Sequence, residues 1–209
     1  MFESYSPNML KTYNQCPKKF HFRYIKKISM PINDEIFETG KNIHALASYC
    51  LKKEDISKLE KALSVKDTEI WTCLKNCKYF GYEYINSEYN LSVKLDNKFF
   101  GGRLDALVKN NDKYYILDYK TGSAPKNAIY DFQTMIYMLA VSEFFQTNNI
   151  TFIYIDLKNK TEVEIEFSED LKNEYQEKLT QISKKIEKTE FTAIKNTDCD
   201  CEYNVICYH

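Results

Sequence analysis

Residues 114–122 read "YYILDYKTG", and the reading of this stretch decides the fold. Successive side chains on a strand point to opposite faces. Tyr114, Ile116, Asp118 and Lys120 therefore share one face, and Tyr115, Leu117 and Tyr119 the other. The second face reads as core. The first starts apolar and ends in two charges at the strand's C-terminal end, where Thr121 and Gly122 turn the chain away. A surface Asp–Lys pair contributes little, so the meaning of Asp118 and Lys120 depends on what the rest of the chain brings to them.

The 209 residues suffice for one domain with a substantial core. Only 5 Gly and 4 Pro are present, which argues against long disordered linkers. The formal net charge is −1, so any nucleic-acid contact has to come from a local patch rather than from overall charge. No apolar run approaches the roughly 20 residues of a membrane span, and "MFESYSPNML" lacks a charged-then-apolar leader. The expectation is a cytoplasmic protein without a membrane partner, in which 7 Cys point to metal binding or burial rather than to disulfides.

Outward from residue 114 the period changes twice. "SEYNLSVKL", "KFFGGRLDALVK" and "KYYILDYK" read as three strands joined by polar turns at Asp96-Asn97 and Asn110-Asn111-Asp112. "NAIYDFQTMIYMLAVSEFF" reads as a helix, and "TFIYIDL" and "EVEIEF" as two further strands. Ser168 caps a last long helix with an apolar stripe of Leu171, Tyr175, Leu179, Ile182 and Ile186. Before the strands, Ser6 and Pro7 suit the start of a helix, Pro17 starts another, a third runs from about Asp34 to Lys52, and residues 55–86 read as mostly helical. The order is that of one α/β sheet domain.

The strand before Asp118 holds "GGRLDALV". Its alternation puts Leu104, Ala106 and Val108 on one face and Arg103, Asp105 and Leu107 on the other. A hairpin would bring Asp105 to Asp118. Two close carboxylates raise one another's pKa unless a cation lies between them, and such oxygens suit Mg²⁺ or Mn²⁺. A bound cation can polarise a phosphate and lower the pKa of its water. Lys120 could orient that water or stabilise charge on the phosphate. These parts fit phosphodiester hydrolysis.

"GGRLDALV", "ILDYKTG" and "QTMIY" in this order resemble the PD-(D/E)xK nuclease superfamily, and within it the RecB-like branch with its CRISPR-associated exonucleases and AddB-type nuclease domain. "TGKNIH" is similar to that branch's Gly-x-x-x-His helix motif, "MLKTYNQCPKKFHFRYI" to its N-terminal segment and "CEYNVIC" to its C-terminal cysteine motif. The resemblance implies a restriction-endonuclease-like α/β fold, a mixed β-sheet flanked by α-helices, with residues 1–209 as one nuclease domain. It implies that Asp105, Asp118, His44 and the Tyr119 carbonyl hold the metal, His44 leaning the choice toward Mn²⁺, and that Lys120 is the catalytic lysine. Gln133 and Tyr137 match a Gln-x-x-x-Tyr motif and share a helix face. Glu88 precedes the strands where this branch often carries an acid.

Cys16 near one end and Cys199, Cys201 and Cys207 near the other could hold an iron–sulfur cluster or zinc. The resemblance implies a 4Fe–4S cluster clipping residues 1–30 to 190–209. The tail departs from the family pattern in having Cys199 and Cys201 one residue apart rather than two. Cys50, Cys73 and Cys77 read as packing residues.

"CPKKFHFRYIKK" interleaves Lys18, Lys19, Arg23, Lys26 and Lys27 with Phe20, Phe22 and Tyr24. Cations for phosphate and rings for bases suit single-stranded nucleic acid, although Phe20 and Tyr24 share a helix face that reads as packed inward. The expectation is a metal-dependent DNA nuclease, an exonuclease on single-stranded or end-opened DNA. The rival readings are a non-catalytic nucleic-acid-binding module and an assembly subunit beside a helicase or a CRISPR integration complex.

Overall fold

In the computed structural model, which describes residues 2–30, 35–194 and 201–207, β4 (Lys113–Lys120) lies inside a six-stranded mixed sheet. On one side it pairs antiparallel with β3 (Lys98–Asn110), Ala106 facing Leu117. On the other it pairs parallel with β5 (Ile150–Asp156), Asp118 facing Tyr154 and Lys120 facing Asp156. A parallel neighbour requires a crossover, and α6 (Phe132–Phe145) supplies it. β6 (Thr161–Glu166) extends the sheet antiparallel beyond β5. β2 (Glu83–Leu95) pairs antiparallel with β3, and the short β1 (Ser4–Tyr5) pairs parallel with it.

Both faces of β4 are covered. Ile116 packs with Leu107, Phe152, Met135 and Ile136 in a core shared with α6 and with α7 (Glu169–Lys188). Leu117 and Tyr119 pack with Ala106, Ile153, Leu46 and Trp71 in a second core. It is closed by α3 (Glu35–Leu51) and by α5 (Val65–Lys75), which follows the short α4 (Ser57–Lys61). Each fully buried large apolar side chain contributes roughly 1.5–3 kcal/mol. A strand buried on both faces has no solvent side for a charge, so Asp118, only 2% exposed, must be held by partners.

Local signals act as read at several helix starts. The Ser6 hydroxyl accepts from the Met9 amide with Pro7 in the first turn of α1 (Pro7–Gln15), and the Ser168 hydroxyl accepts from the Leu171 amide. Pro17 opens only a short helix, α2 (Pro17–Phe20), which passes into a π-turn over His21–Ile25. Asp34, the expected start of α3, lies outside the described residues. The helical expectation for residues 55–86 is wrong at its end. Helix stops at Lys75, Lys78–Gly81 form a 3₁₀ turn, and β2 begins at Glu83. Tyr82, Tyr84 and Ile85 suit a pleated surface better than a helix, and Tyr82 meets the Tyr115 ring of β4 at 5.1 Å.

The alternation along β3 also breaks. Ala106 and Val108 face the α3 side, but Leu104 packs with Leu107 on the α6 side. The irregularity lies in the partner strand: the β2 register shifts between Tyr84 and Asn86, and Glu88 has a positive φ of 49°. The core face of β3 changes layer between Leu104 and Ala106, the stretch that lies opposite Glu88.

Candidate active site

The charged end of β4 meets the first turn of α6. Asp131 caps that helix, its Oδ1 accepting from the Gln133 amide at 2.9 Å. Gln133 then reaches β4 with both ends of its side chain. Its Nε2 donates to Asp118 Oδ1 at 3.0 Å, and its Oε1 accepts from Lys120 Nζ at 2.9 Å. Lys120 Nζ also lies 2.6 Å from Asp118 Oδ2 as an ion pair, off the angle a hydrogen bond requires, so that buried oxygen keeps lone pairs unused. Burial, with the charge of Asp105 adding to it and Lys120 opposing it, pushes the Asp118 carboxyl up to about 6.

One helical turn on, the Tyr137 hydroxyl donates to the Arg103 carbonyl oxygen at 3.0 Å. This contact depends on Gly102. A Cβ there would stand 2.9 Å from the Tyr137 hydroxyl oxygen, closer than carbon and oxygen approach without displacement. Gly102 therefore lets α6 sit close to β3 beside Asp105.

Asp105 is gripped from two sides. Its Oδ2 accepts from the Tyr119 amide at 2.9 Å, and its Oδ1 lies 3.2 Å from His44 Nδ1. His44 comes from α3, and its Nε2 lies 3.1 Å from the Tyr119 carbonyl oxygen. Both ring nitrogens thus face acceptors, an arrangement that suits the doubly protonated imidazolium. Burial is the largest influence and opposes the charge, but the bond to and charge of Asp105, the Tyr119 carbonyl and the charge of Asp118 together raise the His44 pKa above its ordinary value. Gly40, one turn before His44, has room for a methyl group, with Thr121 Oγ1 at 3.6 Å.

Glu88 completes a cluster. Ligand atoms of His44, Glu88 and Asp105 all lie within 4.8 Å of one another. Glu88 also pairs with Arg103, Oε2 to Nε at 2.9 Å. The residues named from the sequence, His44, Asp105, Asp118, Tyr119, Lys120, Gln133 and Tyr137, thus stand at one place where β3, β4, α3 and α6 meet. Lys11 of α1 went unread. Its Nζ lies 3.2 Å from Gln133 Oε1 and 3.0 Å from Asp131 Oδ1, so two lysines share one amide oxygen. Nothing in "MLKTYNQ" distinguishes Lys11 from a solvent-facing helix lysine, because its partners are 120 or more residues away.

Among the described residues the terminal cysteines form no comparable site. Cys199 lies outside the described residues. Among the described residues, no cluster of three or more metal-ligating groups includes Cys16, Cys201 or Cys207. The cluster expected from the resemblance therefore has no counterpart there. The two termini do meet, by other means. Glu202 pairs with Lys19 at 2.9 Å and Arg23 at 2.6 Å, and the Tyr203 hydroxyl donates to the Ile28 carbonyl at 2.9 Å. Lys19 and Arg23, read as a solvated face that could also meet phosphate, are thus paired with a carboxylate. Phe20 is fully buried, with the Tyr24 ring 5.2 Å away, as their shared face implied. Among the described residues no helix is long and apolar enough to cross a membrane.

Known proteins place these features in a family. A family model described as the PD-(D/E)XK nuclease superfamily matches residues 4–77 and 74–208. Over 132 residues, 61% of this chain, the sequence is 26% identical to the CRISPR-associated exonuclease Cas4 of Francisella tularensis subsp. novicida (strain U112). The aligned part spans 66% of that relative, just under two thirds of its length. A crystal structure from Eubacterium rectale, of a protein provisionally assigned as an exonuclease, matches 97% of this chain and 88% of that one. Its TM-score is 0.57 at 11% identity, a likeness of fold.

Proposed function

The chain belongs to the PD-(D/E)XK nuclease superfamily, and from that premise we propose that it is a metal-dependent exonuclease acting on single-stranded or end-opened DNA, with residues 1–209 as one nuclease domain. The observation that carries the reading is the closed set of contacts among Asp118, Lys120 and Gln133, with Asp105 and His44 beside it.

The donor set suits a hard divalent cation. Asp118 Oδ2 is buried without a hydrogen bond, Asp105 and the Tyr119 carbonyl add oxygens, and His44 adds a nitrogen. Asp105, Asp118, Tyr119 and His44 would hold Mn²⁺ or Mg²⁺. When bound, such an ion polarises the phosphate and lowers the pKa of its water. The chain's own groups do the rest. Gln133 fixes Lys120 and Asp118 relative to each other. The Lys120 ammonium orients the attacking water and stabilises charge developing on the phosphate oxygens. Tyr137 holds the Arg103 backbone and with it the strand that carries Asp105.

The test uses two labelled substrates, a linear and a circular single-stranded DNA, each with Mn²⁺, Mg²⁺ or EDTA. The expected result is metal-dependent shortening of the linear strand and survival of the circle. Cutting of the circle would overturn the exonuclease assignment, and an intact linear strand with both ions would overturn the nuclease reading.

A further inference from the structure

Resting on that reading, we propose that one exposed face of α3 is the track that leads a single DNA strand to the site, with an unpaired base stacked on Tyr49. Lys41, Ala45 and Tyr49 of α3, and Lys52 in the turn that directly follows it, recur at the spacing of one helical face and are all exposed. They border a cavity of about 820 Å³ whose other wall includes Tyr119 and Lys120. His44, on the same helix, lies between Lys41 and Tyr49 along this face and lines the cavity too. The track and the site are therefore one continuous space.

Its chemistry is that of a single strand. Among the described residues neither Lys41 nor Lys52 has a carboxylate partner, whereas Arg103 and Lys120 in the same cavity are paired with Glu88 and Asp118. Two uncommitted ammonium groups thus stand along the helix, about 16 Å apart at ~1.5 Å per residue. Between them Ala45 gives a low floor. Tyr49 rises beside it, 40% exposed, with Lys52 Nζ 5.9 Å from its ring centroid. Cations along a groove with an exposed ring bind phosphates and an unpaired base. A duplex keeps its base faces stacked inside and offers the ring nothing.

The test is binding of a fluorescent oligothymidylate in EDTA, where no hydrolysis occurs, against a blunt duplex of the same length. Tyr49→Ala is expected to weaken single-strand binding about tenfold and leave duplex binding unchanged, with Tyr49→Phe close to the parent. Lys41→Ala and Lys52→Ala are each expected to lower the slope of log affinity against log salt by about 0.7. Parental single-strand binding by Tyr49→Ala, an equal loss in Tyr49→Phe, or an equal loss for the duplex would overturn the track. The nuclease reading is judged separately, by cleavage with metal in the parent protein, so either can fail alone.

Discussion

His44 Nε2 lies 3.1 Å from the carbonyl oxygen of Tyr119, so a helix residue touches the backbone of β4 between its two charged side chains, Asp118 and Lys120. The same ring reaches Asp105 through Nδ1 at 3.2 Å. Contact with Asp105 favours the protonated ring. His44→Ala removes this group and, with it, a proposed metal ligand. Calorimetry should show Mn²⁺ affinity reduced at least tenfold, and the unfolding midpoint in EDTA should fall because Asp105 loses this partner. Undiminished Mn²⁺ binding would remove His44 from the site.

The Asp118 carboxyl, pushed up to about 6 from 3.8 by burial and by Asp105, sets a pH dependence. The folded state holds this proton more tightly than the unfolded chain does. The group's stabilising contribution to the metal-free protein is therefore complete below about pH 4 and lost as pH rises through about 6. Asp118→Asn should raise the melting temperature in EDTA at pH 7.5 and leave it nearly unchanged at pH 4. Metal and proton compete for the same oxygens, so Mn²⁺ affinity of the parent should fall about tenfold or more per pH unit below 6.

Gln133 ties the site together through both ends of its side chain. Gln133→Ala leaves Asp118 and Lys120 in place but frees both to move. The lost bonds run to the charged groups of Asp118, Lys120 and Lys11, and a hydrogen bond to a charged group is worth about 1.5–3 kcal/mol of stability. The loss of fixed geometry should lower kcat about tenfold to a hundredfold at nearly constant KM. Gln133→Glu adds a carboxylate beside Asp118 and should shift the acid limb of the pH profile upward. A change in KM alone would show that Gln133 acts on binding instead.

Much of this site was legible in residues 98–145 because it is built on period. The alternation of β4 puts Asp118 and Lys120 beside Ile116, and the four-residue spacing puts Gln133 and Tyr137 on one helix face. What escaped reading depends on distant contacts. Lys11 acquires its role from Asp131 and Gln133, and Leu104 changes layer opposite Glu88, whose backbone has a positive φ. The start of β2 was read as helix because "YFGYEYI" carries apolar residues at spacings that suit either period, and Tyr115 on the neighbouring strand decides it. The cysteines differ: the resemblance implies a cluster that includes Cys199, which lies outside the described residues, and within the described residues the termini are joined through Glu202 and Tyr203.

Gly102 should resist substitution. Gly102→Ala places a methyl 2.9 Å from the Tyr137 hydroxyl and 3.4 Å from Pro7 Cδ. Overpacking of this kind costs about 1–3 kcal/mol, measurable by urea denaturation. Tyr137→Phe in the same chain removes the clashing oxygen and should recover part of the loss. Strict additivity of the two changes would show that they do not share this contact.

The C-terminal segment should be separable from catalysis. Tyr203 is 2% exposed and its ring lies 5.5 Å from Phe22. Tyr203→Ala should raise amide exchange across residues 201–207 while the nuclease rate stays within about twofold. Glu202→Gln, which weakens only partly exposed ion pairs, should change global stability by less than about 1 kcal/mol. A collapse of activity in either variant would place this segment in the catalytic machinery.

The most direct test of the central claim is the single-turnover cleavage rate of Lys120→Ala on end-labelled single-stranded DNA with Mn²⁺, in protein whose Mn²⁺ binding has first been measured. The account predicts that metal binding is kept while the rate falls by about a hundredfold or more. Cleavage at the parental rate, with metal bound, would contradict it.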